Sequence, residues 1–198
     1  MHSIYIDTTF NLIIGLLDVN KHWIEYLTFE DKKPSDKIHF EVYQLLEKYN
    51  LNINEIRFFF ANGPGSYTGM RLSEGFAKVL ELSNIETYSF YHFEILELLN
   101  LHDSFWATNA FKNEIFVFEF GNAINKVKLL SPNEFVEYKE KNKKGYTLDK
   151  GAKFFENFIS SNDLIKDNSE ILFNTIQKNK MRKAPYYFRI LEEEFKTC

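Results

Sequence analysis

Three glycines stand within seven residues at Gly63-Pro64-Gly65-Ser66-Tyr67-Thr68-Gly69, and this cluster constrains the chain more than any other feature. It follows an apolar run from Ile56 to Ala61, which reads as a buried strand, and it precedes a helical pattern from about Thr68 to Leu82. Glycine permits positive φ and close backbone approach. A glycine-rich turn at a helix N-terminus can also hold an anion on its free N–H groups. The familiar phosphate-binding patterns do not fit, however. A Walker A loop requires a lysine after its last glycine, and no lysine occupies that place. A dinucleotide fingerprint requires a third glycine where Thr68 stands. Both readings stay open, and the chemistry favours a structural turn over an anion site.

The segments around this turn set the fold class. Ser3 to Asp7 reads as a strand ending on an aspartate, followed by Thr8 and Thr9. Leu12 to Val19 and Trp23 to Phe29 read as two more strands, so the chain opens with an antiparallel meander. A polar loop carrying Pro34 leads into a helix with Ile38, Val42, Leu45, Leu46 and Tyr49 on one stripe. Phe40 and Tyr43 lie off that stripe, which is the pattern of a helix with a second apolar contact. On the helix after the glycine turn, Leu72, Phe76, Val79 and Leu80 are expected on the core side, while Ser73 and Ala77 form a flatter face. A strand from Ile85 to Phe90 and a short helix from Phe93 to Leu99 follow.

After Leu101 the order begins again in reduced form. Phe105 to Thr108, Glu114 to Phe120 and Val127 to Leu130 read as strands. Ser131-Pro132-Asn133-Glu134 is a helix start with a capping box. The run from Lys139 to Gly145 is expected to be a solvated helix end and loop. Strands followed by alternating helices and strands indicate an α/β chain with mixed sheets, divided into domains 1–100 and 101–198.

Composition excludes several classes. No apolar run is long enough for a membrane-spanning helix, and the segment Met1 to Tyr5 lacks the features of a signal peptide. The formal charge of −4 does not suit a free-standing nucleic-acid binder. One cysteine, Cys198, cannot form an internal disulfide, which fits a cytoplasmic location. The five histidines, His2, His22, His39, His92 and His102, include no pair three to five residues apart, so no metal site and no cofactor is expected.

Several segments taken together resemble the TsaB (YeaZ) family. Gly63 to Arg71 resembles the family's GPGSFTGLR segment, with Tyr67 for Phe and Met70 for Leu. Ile4 to Thr8 resembles its opening strand and the remnant of a first phosphate loop. His39-Phe40-Glu41 resembles the His-x-Glu of its first long helix. Asn109 to Phe116 resembles its DARRxEVY stretch, with Asn109 for aspartate and Phe111 for arginine, so a charged role there is not carried over. Pro185 to Arg189 resembles its C-terminal P-x-Y-x-R.

The resemblance implies the actin-like ATPase (ribonuclease H-like) fold, with two related subdomains and the second reduced. It also implies a non-catalytic subunit that supports the TsaD-type transferase, with a TsaE-type ATPase as third component. That complex makes N6-threonylcarbamoyladenosine at adenosine-37 of tRNAs reading ANN codons. A homodimer through the same surface, and tRNA contact only through the complex, are implied as well. The partner surface falls on His39, Phe40, Tyr43 and Glu47 of the first helix and on Met70, Ser73, Ala77 and Glu81 of the second. In the superfold the aspartate of the first strand lies near phosphates, which makes Asp7 and Thr8 nucleotide-binding candidates. Against this stands the reading of Asp7 as a strand-ending aspartate that caps a turn. TsaD-type subunits use a His-x-x-x-His pair, and here Tyr43 stands four residues after His39. A stand-alone nucleotide-binding ATPase or kinase-like enzyme of the same superfold is the alternative.

Overall fold

A computed structural model of the chain describes residues 1–29, 34–110, 113–121, 126–140, 144–149 and 152–188. Phe111, Arg189 and Cys198 lie outside the described residues. The first sheet holds β1 (His2–Asp7), β2 (Leu12–Leu17), β3 (Trp23–Phe29), β4 (Ile56–Ala61) and β5 (Thr87–Phe90) in the order β3-β2-β1-β4-β5. The opening meander is antiparallel, with Asp7 opposite Ile13 and Leu12 opposite Phe29. β4 lies parallel between β1 and β5. A central parallel strand is covered on both faces, which is why Ile56–Ala61 is apolar at every position but Arg57.

Helix α1 (Pro34–Lys48) and helix α2 (Tyr67–Leu82) cover one face of this sheet. Ile38, Val42, Leu45 and Leu46 of α1 meet Ile4, Ile6, Ile14, Phe58 and Phe60 of the sheet, together with Phe76, Ala77 and Leu80 of α2. On the opposite face Tyr5, Trp23, Phe59 and Phe90 gather around Phe173. Burial of these aromatic rings, each worth roughly 2–3 kcal/mol, is the main force holding that face.

The second sheet repeats the plan. A short helical turn at His92–Glu94 and helix α3 (Ile95–Leu98) lead into β6 (Ser104–Asn109), β7 (Ile115–Phe120) and β8 (Lys126–Leu130), again an antiparallel meander. Helix α4 (Pro132–Glu140) starts with the expected capping box: Ser131 N–H donates to Glu134 Oε2 at 2.8 Å, and Glu134 N–H donates back to Ser131 Oγ at 3.4 Å. Strands β9 (Lys144–Thr147) and β10 (Ile159–Ser160) complete the order β10-β9-β6-β7-β8 with parallel pairing. The reduction is local. Between β4 and β5 stands the long helix α2, whereas between β9 and β10 the described residues form only a single 3-10 turn, Lys153–Phe155. There Phe155 joins Phe105 and Phe135 in the core, with Phe154 and Phe158 packed against it.

The structure corrects three expectations. Lys144 and Gly145 belong to β9 and not to a loop, because Gly145 onward is buried strand while only Lys144 projects outward. The chain divides at Tyr91, ahead of residue 100. Beyond β10 come α5 (Ser161–Asp167) and α6 (Ser169–Lys178), and the segment Asn168–Tyr186 belongs to the first unit. Phe173 explains that assignment, since its ring fills the aromatic face of the first sheet. The second unit comprises His92–Asp167 and the chain from Tyr187. No helix among the described residues is long and apolar enough to cross a membrane.

Candidate functional site

The glycine turn is packed against the loop after β1. A Cβ on Gly65 would stand 2.4 Å from Thr9 O, and one on Gly69 only 1.9 Å from Thr8 O. Gly63 has φ +111°, a conformation that side chains disfavour. Ser66 N–H donates to Thr9 O at 2.6 Å, and the Ser66 hydroxyl accepts Gly69 N–H at 3.2 Å. These two donors at the start of α2 are thus taken by the chain itself. The turn reads as structural, and its glycines answer to close backbone approach.

Asp7 and Thr8 serve the same loop. Asp7 Oδ1 accepts from Thr9 N–H at 2.8 Å and from the Thr9 hydroxyl at 2.6 Å. Tyr5 O–H donates to Asp7 Oδ2 at 3.3 Å, and burial, reinforced by the Asp7 charge, raises the Tyr5 hydroxyl pKa well above its ordinary value. The Thr8 hydroxyl donates to Gly69 O at 2.6 Å and also meets Ser73 Oγ. This is the geometry of an aspartate that ends a strand and closes a turn.

The two helices differ from expectation in a definite way. On α1, His39 is exposed with its ring edge against Phe76, the centroids 4.8 Å apart. Phe40 is 58% exposed and Tyr43 54%, and the Tyr43 hydroxyl donates to the exposed Glu47. A groove of about 570 Å³ runs beside them, lined by His39, Val42, Tyr43, Leu46, Leu51 and Phe76. On α2, by contrast, Met70, Ser73 and Ala77 are buried within the chain's own fold. Met70 packs at Gly63, Ser73 bonds Thr8, and Ala77 sits in the core. Small residues on this helix accommodate its own sheet and loop. Glu81 is held by Arg182 Nε at 2.6 Å and accepts from Thr87 Oγ1 at 2.5 Å, and its hydrogen bond from Arg182 lowers its pKa.

The outward residues of α2 are others. Val79, expected in the core, is 59% exposed, and Leu82 is 86% exposed. Gly75, with open space around its Cα, completes a stripe at i, i+4 and i+7. That spacing was the available signal, and it shares Val79 with the stripe assigned to the core. Tyr67 and the exposed Arg71 stack near the start of the helix, the guanidinium 4.1 Å from the ring centroid. Exposed Thr68 completes the motif, while Pro64 is buried.

The C-terminal motif and the glycine turn come together. Tyr186 N–H donates to Asn62 O at 2.9 Å, and the Tyr186 backbone lies against Gly63. In the second unit, Asp149 Oδ2 accepts from Thr108 Oγ1 at 2.8 Å, Asn109 N–H at 2.8 Å and Asn109 Nδ2 at 3.0 Å. An amide at position 109 can donate to that carboxylate; a second carboxylate could not. Among the described residues no group of three or more His, Cys, Asp or Glu side chains forms a metal-ligand set.

Two sheets, each an antiparallel meander continued by parallel crossover strands in the same order, define the ribonuclease H-like fold in its duplicated, actin-like ATPase form. The fold is similar to that of YeaZ from Pseudomonas aeruginosa, at 16% identity over 68% of this chain and 69% of that chain, with a TM-score of 0.51. It is also similar to an uncharacterized protein with similarity to peptidase YEAZ from Pseudomonas aeruginosa, at 14% identity over 95% of this chain and 99% of that chain, with a TM-score of 0.64. No protein-family model and no curated protein matches the sequence.

Proposed function

We propose that this chain is a TsaB-type, non-catalytic subunit that docks a TsaD-type transferase and supports threonylcarbamoylation of adenosine-37 in ANN-decoding tRNA. One observation carries the reading. Phe40 and Tyr43 on α1, with Val79 and Leu82 on α2, are large apolar side chains left in solvent on helices that touch through His39 and Phe76. Large apolar side chains exposed on two helices in contact, with a groove beside Tyr43 and Phe76, support a protein-binding face. The partner expected there is the TsaD-type subunit, with a second copy of this chain as the competitor for the same surface. A TsaE-type ATPase joins as third component, and the net charge of −4 supports a reading in which the partner makes the tRNA contact. The setting is the cytoplasm.

Co-expression with a TsaD-type protein tests the reading. The two chains are expected to co-purify, and a strain lacking this gene is expected to lose the modified nucleoside from tRNA hydrolysates. Retention of the nucleoside in that strain would overturn the proposal. The stand-alone ATPase reading predicts ATP binding by the isolated chain, which calorimetry measures directly.

A further inference from the structure

The segment from Met181 to Tyr186 runs from the end of α6 back across the first unit and is hydrogen-bonded at Met181, Arg182, Lys183 and Tyr186. Ser89 N–H of β5 donates to Met181 O at 2.9 Å. Lys183 O accepts from Asn62 Nδ2 at 2.7 Å and from Ser89 Oγ at 2.8 Å. Tyr186 is fixed to Asn62 and Gly63, as described above. Between these points Arg182 reaches over α2. Its Nη1 and Nη2 donate to Glu74 Oε2 and Oε1 at 2.9 and 3.0 Å, and its Nε donates to Glu81.

Glu74 and Glu81 lie two turns apart on one side of α2, so a single guanidinium grips the helix along its length. The pair is not a loose surface contact. Arg182 is 25% exposed and Glu74 16%, and the fork-to-fork geometry with Glu74 is the strong form of such a bond. Asn62 Nδ2 adds a donor to Glu74 Oε2 at 3.1 Å. Loss of Arg182 removes this tie between the strap and the helix and leaves two partly buried carboxylates on α2 without their common cation.

We propose that Arg182 is a positioning residue: by clamping the strap 181–186 to α2 it sets how that helix presents Val79 and Leu82 to a partner, without touching the partner itself. The partner clause rests on the docking reading above, whereas the clamp does not. Hydrogen exchange of the full chain, compared between wild type and Arg182→Met, tests the clamp. Amides of 75–82 and 181–186 are expected to exchange at least about tenfold faster in the variant, with the second unit unchanged. Arg182→Lys should restore most of the protection, and Glu81→Gln should loosen only the second half of α2.

Binding to a TsaD-type chain is expected to weaken about tenfold in Arg182→Met and to recover in Arg182→Lys, while Val79→Arg weakens binding with exchange unchanged. Unchanged exchange in 75–82, or a uniform rise across both units, would overturn the clamp. If wild type does not bind the TsaD-type chain, the docking reading fails and the exchange result still decides the clamp.

Discussion

The hydroxyls of Thr8 and Ser73 lie 2.6 Å apart, tying the loop after β1 to the first half of α2. Through that bond, and through Gly65 and Gly69 beneath it, the glycine turn acts as the joint between strand and helix.

The joint makes two glycines of one helix behave oppositely. Gly69→Ala would drive a methyl group into Thr8 O, which Thr8, anchored by its own hydrogen bonds, cannot yield. A loss of about 1–3 kcal/mol in urea unfolding is expected. Gly75→Ala meets open space inside a helix and should gain about 0.5–1 kcal/mol.

The burial of Ala77 and the exposure of Val79 let folding be tested apart from the proposed docking. Ala77→Arg forces a cation into the core and is expected to yield insoluble or unfolded protein, whatever the partner. Val79→Arg should leave the circular dichroism melt within about 0.5 kcal/mol of wild type and remove co-purification with the TsaD-type chain.

Asp7 supplies the acceptor for both donors of Thr9. Asp7→Ala is therefore expected to lower stability by about 1–3 kcal/mol in thermal unfolding, with ATP absent. A variant of unchanged stability would return Asp7 to the list of ligand-binding groups.

Lys21 gives a pH signature. Its ammonium is buried against the Phe59 ring and donates to Ser3 Oγ at 2.7 Å. Burial, with repulsion from Arg57, lowers its pKa from 10.5 to about 8. The unfolded chain therefore holds this proton more tightly than the folded one between these two values. Stability is expected to rise as pH climbs from about 8 to about 10.5, by roughly 3 kcal/mol at most, and to be lower and flat below 8. Lys21→Met should remove that rise, read as the difference in urea midpoints between variant and wild type at pH 7 and pH 10.

Much of the first unit was legible. The meander, the buried β4 and both helices follow from period-2 and period-3.6 patterns, which are local properties of the chain. The capping box at Ser131 and Glu134 is likewise local. The second unit was harder, because β9 begins inside a lysine-rich run and β10 is two residues long. The stripe Leu172, Phe173 and Ile176 of α6 was present at helical spacing, yet nothing near it tells which sheet it covers.

The opening strands, the buried β4, the glycine turn and the amphipathic helices of the first unit were thus set by the sequence alone, because each depends on neighbours a few residues away. Which side of α2 faces inward was decided only by tertiary structure. A helix bearing Ser73 and Ala77 on one flank and Val79 and Leu82 on another is amphipathic in two ways. The approach of the Thr8 loop, which needs small residues and a hydroxyl partner, selected the first flank for the interior and left the second in solvent.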